Sequence, residues 1–422
     1  MTRWARAGAV LLASAALSLS ACGGSSRSTS DAHDTSRSGT VDIYSSLPLH
    51  GLSANHGRAI VAGIRLALGQ LHGRAGQWRV RYFSLDDSSR AAGTWDLSRT
   101  VANAHRAASD PGAVYYIGEF DSAASEISIP ILNQAGIAQV SPANTYVGLT
   151  TSDPGSAGDE PQRYYPTSGR TFLRIMPRDT VQAAAGLLAM KQAGCTRVAI
   201  AFDRDRYGAG LAELLQAQKG YYGLKVVLSA AIDPTVSGYR SFSLLTRDRG
   251  ANCFFFAGVA SDAAVQITRE VHLATPSARI FGGDGVCTDS YTNGNRGGVG
   301  MAIDPLVECT RLPQKLSAYP GGKPFLAAYR ARYRTATPDP YAIYGYEAMD
   351  LGLATIASLG PQANSKASVL DALYAISGRH SVLGTYRFND NGDTTLKSYG
   401  LYGVGSSGNP AFLRTITPGK VL

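Results

Sequence analysis

The sequence predicts an α/β protein built from two lobes, each with its own parallel sheet. Three observations carry this. Short β-branched or aromatic runs alternate with longer stretches of helical period from Thr40 onward, the alternation comes in two sets of four strands, and 422 residues exceed what one compact core usually organises. A charged share of 17% against 44% hydrophobic excludes a coiled coil or an extended disordered chain.

The first set of strands is predicted at 41–46, 79–85, 113–117 and 138–141, the second at 197–202, 224–229, 252–257 and 279–282. Their Val, Ile, Tyr and Phe suit a pleated, buried surface. Helices are predicted at 53–71, 91–108, 123–134, 179–192, 208–219, 261–272, 325–334 and 341–359. In the first of these Ile60, Ile64, Ala67, Leu68 and Leu71 share one stripe, as covering a sheet requires. The joint between the two sets, 152–169, is rich in Pro, Gly and Ser and reads as an exposed loop. Late strands are predicted at 384–388 and 397–403, joined as a hairpin through Asn389, Asp390, Asn391 and Gly392.

The N-terminus reads as a signal peptide over 1–21: Arg3 and Arg6 precede 13 uncharged apolar or small residues, too few for the roughly 20 that span a bilayer. Leu19, Ser20, Ala21 and Cys22 resemble a bacterial lipobox, so Cys22 is expected to be acylated, anchoring the mature chain to the outer face of the cell membrane. Residues 22–39 hold no large apolar side chain and read as a flexible tether. The four remaining cysteines, Cys195, Cys253, Cys287 and Cys309, then lie in an oxidising compartment and are expected to form two disulfides. Of three possible pairings, Cys195 with Cys253 is favoured because each stands at the start of a strand; Cys287 with Cys309 would follow, closing a loop that stabilises by about 3 kcal/mol. A zinc site lacks any close Cys or His pair.

The formal net charge of +9 is spread along the chain and does not indicate nucleic acid. No nucleophile elbow, phosphate-binding loop, zinc-protease pair, calcium loop or CxxC pair is present, and no cofactor is indicated. The informative positions are those just past the end of each strand, since ligands of open parallel sheets bind beyond the strands' carboxyl ends. Ser122 opens a helix, where exposed N–H groups favour an anion. Thr145 comes after the tight turn beyond Ser141. In the second set, Tyr207 and Asp284 offer a phenol and a carboxylate. Together these handles suit a zwitterion.

The stretch YYIGEFDSAASEISIPILNQAGIAQVSPANT at 115–145 resembles the type I periplasmic binding proteins of branched-chain amino acid ABC transporters, the leucine/isoleucine/valine-binding family. SSLPLHG at 45–51, RIMPRD at 174–179, FDRDRYGAGLA at 202–212, FGGDGV at 281–286, YAIYGYEAMDL at 341–351 and GTYRFNDNGD at 384–393 extend the likeness over nearly all of 39–403. The resemblance implies two lobes, 40–174 plus 312–383 and 175–311 plus 384–422, joined by three hinge crossings near 174–176, 307–311 and 383–388. By position, Ser122 and Thr145 would hold a ligand α-carboxylate, and the Ala143 carbonyl and Asp284 the α-ammonium. Tyr207 would form a wall, and His56 and Tyr341 would meet the ligand side chain. His56 and Val259 depart from the aromatic residues of the leucine-type binders. The implied function is capture of a small amino acid or related zwitterion by hinge closure, without catalysis. Delivery would be to an ABC permease with its ATPase subunits, the binding protein acting as a monomer. A sensing role, or an amide, urea or aromatic acid as ligand, are the alternatives.

Overall fold

The computed structural model describes residues 39–422 apart from 52, 90–93, 313–314 and 335–336. The signal peptide, Cys22 and the tether up to residue 38 lie outside the described residues. All eight strands predicted from the two sets are strands, and they form two separate sheets.

The first sheet contains β1 (Thr40–Leu47), β2 (Arg74–Ala75), β3 (Trp78–Asp86), β4 (Ala113–Ile117), β5 (Ala138–Ser141) and β6 (Phe172–Arg174), in the order β2-β3-β1-β4-β5-β6. Only the β2–β3 pair is antiparallel. The second contains β7 (Arg197–Phe202), β8 (Lys225–Ala231), β9 (Cys253–Ala257), β10 (Arg279–Gly282) and β11 (Val307–Arg311), all parallel. Antiparallel β14 (Tyr399–Val404) and β15 (Pro410–Ile416) complete its β11 edge. In both sheets the order reverses next to the first strand, between β1 and β4 and between β7 and β9. At such a reversal the connections leave to opposite faces and open a crevice beyond the strands' carboxyl ends.

Helices α1 (Ala54–Gln70), α2 (Leu97–Ala108) and α3 (Ser122–Gln134) belong with the first sheet. With the second go α4 (Asp179–Gln192), α5 (Arg206–Gln218), α6 (Arg240–Asp248), α7 (Asp262–Ala274) and the single turn α8 (Asp289–Thr292). After β11 the chain returns to the first sheet through α9 (Gly322–Tyr333), α10 (Ala342–Ser358) and α11 (Lys366–Tyr374), then passes through the hairpin β12 (Arg379–Ser381) and β13 (Gly384–Tyr386) to reach β14. It thus travels between the sheets three times. The α1–α10 contact is close because both helices bare backbone there: a Cβ on Gly63 would lie 1.9 Å from Ala342 O, and one on Gly345 2.1 Å from Ile60 O.

The structure pairs Cys195 with Cys253 and Cys287 with Cys309. The first bond staples neighbouring strands at their amino ends, remote from the ligand-facing ends.

Three expectations are corrected. Segment 152–169 is not a simple exposed loop, because Glu160, Tyr164 and Tyr165 are buried within it. The Glu160 carboxylate accepts hydrogen bonds from Tyr146 OH at 2.6 Å, Tyr164 OH at 2.5 Å and the Ala157 N–H at 2.7 Å, folding the segment inward. Nor do 384–388 and 397–403 form a hairpin with each other. β13 pairs with β12 and β14 pairs with β11 and β15, while the Asn-Gly turn closes on itself through a Phe388–Thr394 bridge. The competing force is Asp393, drawn away to Arg174 of β6 at 2.7 Å. The predicted 91–108 helix begins later, at Leu97, where the Asp96 side chain accepts from the Arg99 N–H.

Candidate functional site

A cleft of about 740 Å³ lies between the two sheets, at both reversals of strand order. His56, Ser122, Ala143, Thr145, Tyr207, Asp284 and Tyr341 all line it, as does Val259. Seven positions spread over 286 residues of sequence are therefore brought onto one surface.

The first-sheet side is built from two interlocked turns. Ser141 Oγ–H donates to Glu119 O at 2.8 Å and accepts from the N–H groups of Ala143 and Asn144 at 3.2 and 2.9 Å. Asn144 Nδ2 donates to Phe120 O at 2.9 Å. These bonds hold the Ala143–Thr145 turn against the start of α3, where Ser122 Oγ makes no hydrogen bond to any described residue. An unpaired hydroxyl beside the first N–H groups of a thirteen-residue helix is an anion-binding arrangement. Asp121 stands at that helix's N-cap position without a side-chain capping bond, and burial pushes its carboxyl up to about 8, assisted by Asp87 and Asp205. At neutral pH it is mostly protonated, so the corner does not repel an arriving carboxylate.

The second-sheet side centres on Asp284, just beyond β10. Its Oδ1 accepts from Tyr207 OH at 2.6 Å and Gln182 Nε2 at 3.0 Å, and Gln182 also donates to Thr310 O at 3.3 Å. Burial raises the Asp284 carboxyl above its ordinary range against these two donors, which favour the anion. A cation placed there would favour the charged form further. Behind it, fully buried Asp179 is raised well above its ordinary range, first by burial and then by Asp284. Tyr207 is likewise raised by burial and by Asp284, so it remains a phenol and a donor.

A third wall is aromatic. The His56 ring lies 4.8 Å from Tyr341 and 5.8 Å from Phe120, and the Phe120–Tyr341 pair is edge-on at 5.3 Å. His56 Nδ1 is 2.9 Å from Asp339 Oδ2. Burial works against the Asp339 anion, but the bond and charge of His56, then the Tyr341 N–H and the charge of Arg311, hold its carboxyl below the ordinary range. Asp339, Phe120, Gln182 and Arg311 are cleft or supporting residues that sequence reasoning does not single out. Gln182 sits one helical turn beyond Asp179, the last residue of the RIMPRD segment, and Phe120 stands two residues before Ser122; those spacings were the available signals.

Among the described residues no group of His, Cys, Asp and Glu is arranged to hold a metal, and no helix is long and apolar enough to cross a membrane.

A family model described as periplasmic binding protein matches residues 41–409. The Leu/Ile/Val-binding protein BraC3 of Rhizobium johnstonii is 25% identical over 363 residues, 84% of this chain and 89% of that one. The solved leucine-binding protein LivK of Thermotoga maritima superposes with a TM-score of 0.73 at 21% identity, covering 90% of this chain and 99% of that one. A solute-binding protein of an ABC transporter from R. palustris, solved in complex with benzoate, superposes with a TM-score of 0.70 at 16% identity, covering 90% and 97%. Two parallel-dominated sheets facing one cleft, together with a family match over nearly the whole described chain, place this protein in the periplasmic binding protein family, whose members bind solutes and are not enzymes.

Proposed function

We propose that this chain is the extracytoplasmic, lipid-anchored solute-binding component of an ABC importer. It captures a small amino acid or related zwitterion between its lobes and presents the closed form to a membrane permease. The observation that carries the reading is the division of polar handles across the cleft. An unpaired hydroxyl at a helix N-terminus belongs to one sheet, and a buried carboxylate held by Tyr207 and Gln182 belongs to the other.

In this reading Ser122, Thr145 and the α3 N–H groups take the α-carboxylate, and Asp284 with the Ala143 carbonyl takes the α-ammonium. A ligand that touches both sides stabilises a closed arrangement by contacts the open one lacks, and that difference alone drives closure. Each charge removed from water is met by a partner, without which burial would be prohibitive.

The test is a thermal-shift and calorimetric screen of the full chain against amino acids, amides and small carboxylates, since ligand bound only to the folded state raises its melting temperature. At least one amino acid should bind, and Asp284→Ala should weaken it on the order of 30-fold or more by removing a buried counter-ion. Unchanged affinity in Asp284→Ala would refute the ammonium assignment. The aromatic wall of His56, Phe120 and Tyr341 supports a second reading, an aromatic acid as ligand. Benzoate and 4-hydroxybenzoate in the same screen decide between the two.

A further inference from the structure

We infer that the solute held in the cleft carries a second acidic group, and that Arg311 is the counter-ion waiting for it. This rests on the amino acid-binding reading above and narrows it to acidic amino acids.

Arg311 ends β11, is only 9% exposed, and lines the cleft together with Asp339 and Tyr341. Its Nη1–H donates to Cys287 O at 2.8 Å, and its guanidinium lies over the Tyr402 ring, 4.5 Å from the centroid. Those contacts fix the side chain without neutralising it. Among the described residues Arg311 forms no ion pair, and its buried Nε–H has no acceptor.

The other deeply placed arginines differ. Arg174 meets Asp393 at 2.7 Å, and Arg379 meets Glu347 and Asp350, each at 2.6 Å. The acid on Arg311's own wall, Asp339, feels the Arg311 charge but forms no ion pair with it, its direct bond being to His56. The field is also positive on the far side of Arg311. It shares the wall of a second cavity of about 530 Å³ whose other charged lining residues, Lys315, Lys323 and Arg330, are all basic.

A largely buried guanidinium with no directly bonded carboxylate is unfavourable. On the wall of a ligand cleft, that cost is relieved by a charge that arrives with the ligand. The balance of charges agrees. The ammonium meets Asp284, the α-carboxylate meets Ser122 and the start of α3, and a second carboxylate meets Arg311, whose planar fork can hold it through two parallel hydrogen bonds. A neutral amino acid would leave Arg311 unpaired when the lobes close.

The experiment is calorimetric titration of the full chain, freed of carried ligand, with L-glutamate and L-2-aminoadipate and with the neutral L-glutamine and L-leucine. The wild-type chain should bind at least one of the two acidic amino acids about tenfold or more tighter than either neutral one. Arg311→Gln should lower that acidic affinity on the order of 30-fold or more while moving the neutral ligands less than about threefold. Arg311→Lys, which keeps the charge, should retain part of the preference. A wild-type preference for neutral ligands, or an equal loss for all ligands in Arg311→Gln, overturns the inference and leaves the amino acid reading standing. Failure of both acidic amino acids to bind overturns the inference, while the amino acid reading is decided by the wider screen above. Should Arg311→Gln fold poorly, the wild-type ratio of acidic to neutral affinity decides alone.

Discussion

Asp121 shows how one residue sets the pH behaviour of this cleft. Its folded pKa of about 8 lies far above the ordinary carboxylate value because of burial, so the folded state holds a proton that the unfolded state releases. Stability from that proton is present below the ordinary carboxyl range and is lost as pH rises from there through about 8. Burial pushes Glu119 and Asp203 the same way, each to about 7. Asp121→Asn removes one titration at nearly unchanged shape. Thermal unfolding between pH 5 and 9 should therefore show the variant gaining on wild type as pH rises, and parallel curves would contradict the assignment. The cleft residues legible from chain geometry were those soon after strands, at the sheet's ligand-facing edge, whereas His56 and Tyr341 were legible only through the family resemblance. Gln182 approaches from a helix face, signalled only by its place one turn beyond Asp179, and Asp339 meets His56 across 283 residues of chain, which no spacing announces.

Helices α1 and α10 carry the aromatic wall between them: His56 lies in the first turn of α1, and Tyr341 caps α10. Their separation is set by backbone meeting backbone at Gly63 and Gly345. A methyl at Gly345 would fall 2.1 Å from Ile60 O, so Gly345→Ala must push the helices apart. Overpacking of this kind costs roughly 1–3 kcal/mol. Urea unfolding should show that loss, and ligand affinity should fall with it because His56 and Tyr341 separate. An unchanged unfolding midpoint would mean that the contact yields freely. At this scale periodicity was a good guide where apolar runs were long, which is why the eight core strands were legible. It failed for three-residue β6 and for α6, which is only nine residues long and mostly polar. The late hairpin was misread because turn chemistry specifies a turn but not which strands pair beyond it. The Glu160 knot was invisible because a single buried carboxylate overrides a Pro-, Gly- and Ser-rich composition.

Over the whole molecule, the first and third passages between the sheets are tied at one buried ion pair. Arg174 Nε–H donates to Asp393 Oδ1 at 2.7 Å, while its Nη1–H donates to Tyr146 O, also at 2.7 Å. Thr150 Oγ1–H reaches the same Asp393 oxygen at 2.9 Å. Asp393→Asn keeps the shape but leaves a fully buried guanidinium without its counter-charge, a loss of about 3–5 kcal/mol. Denaturant unfolding of the ligand-free chain should show it, and a loss under about 1 kcal/mol would mean that the pair is no more than a surface contact in energy.

The seating of α10 against α1 also constrains how the polypeptide matures. The apolar stripe of α1, Ile60 and Ile64 among it, is covered by a segment synthesised nearly 300 residues later. Contacts of such long range are slow to form and cannot be made until the distant partner exists. A nascent chain that has emerged only as far as β11 holds every strand of the first sheet but lacks its lid. That stripe cannot be covered until translation is almost finished, a useful condition for a polypeptide that must cross a membrane before it assumes its final shape.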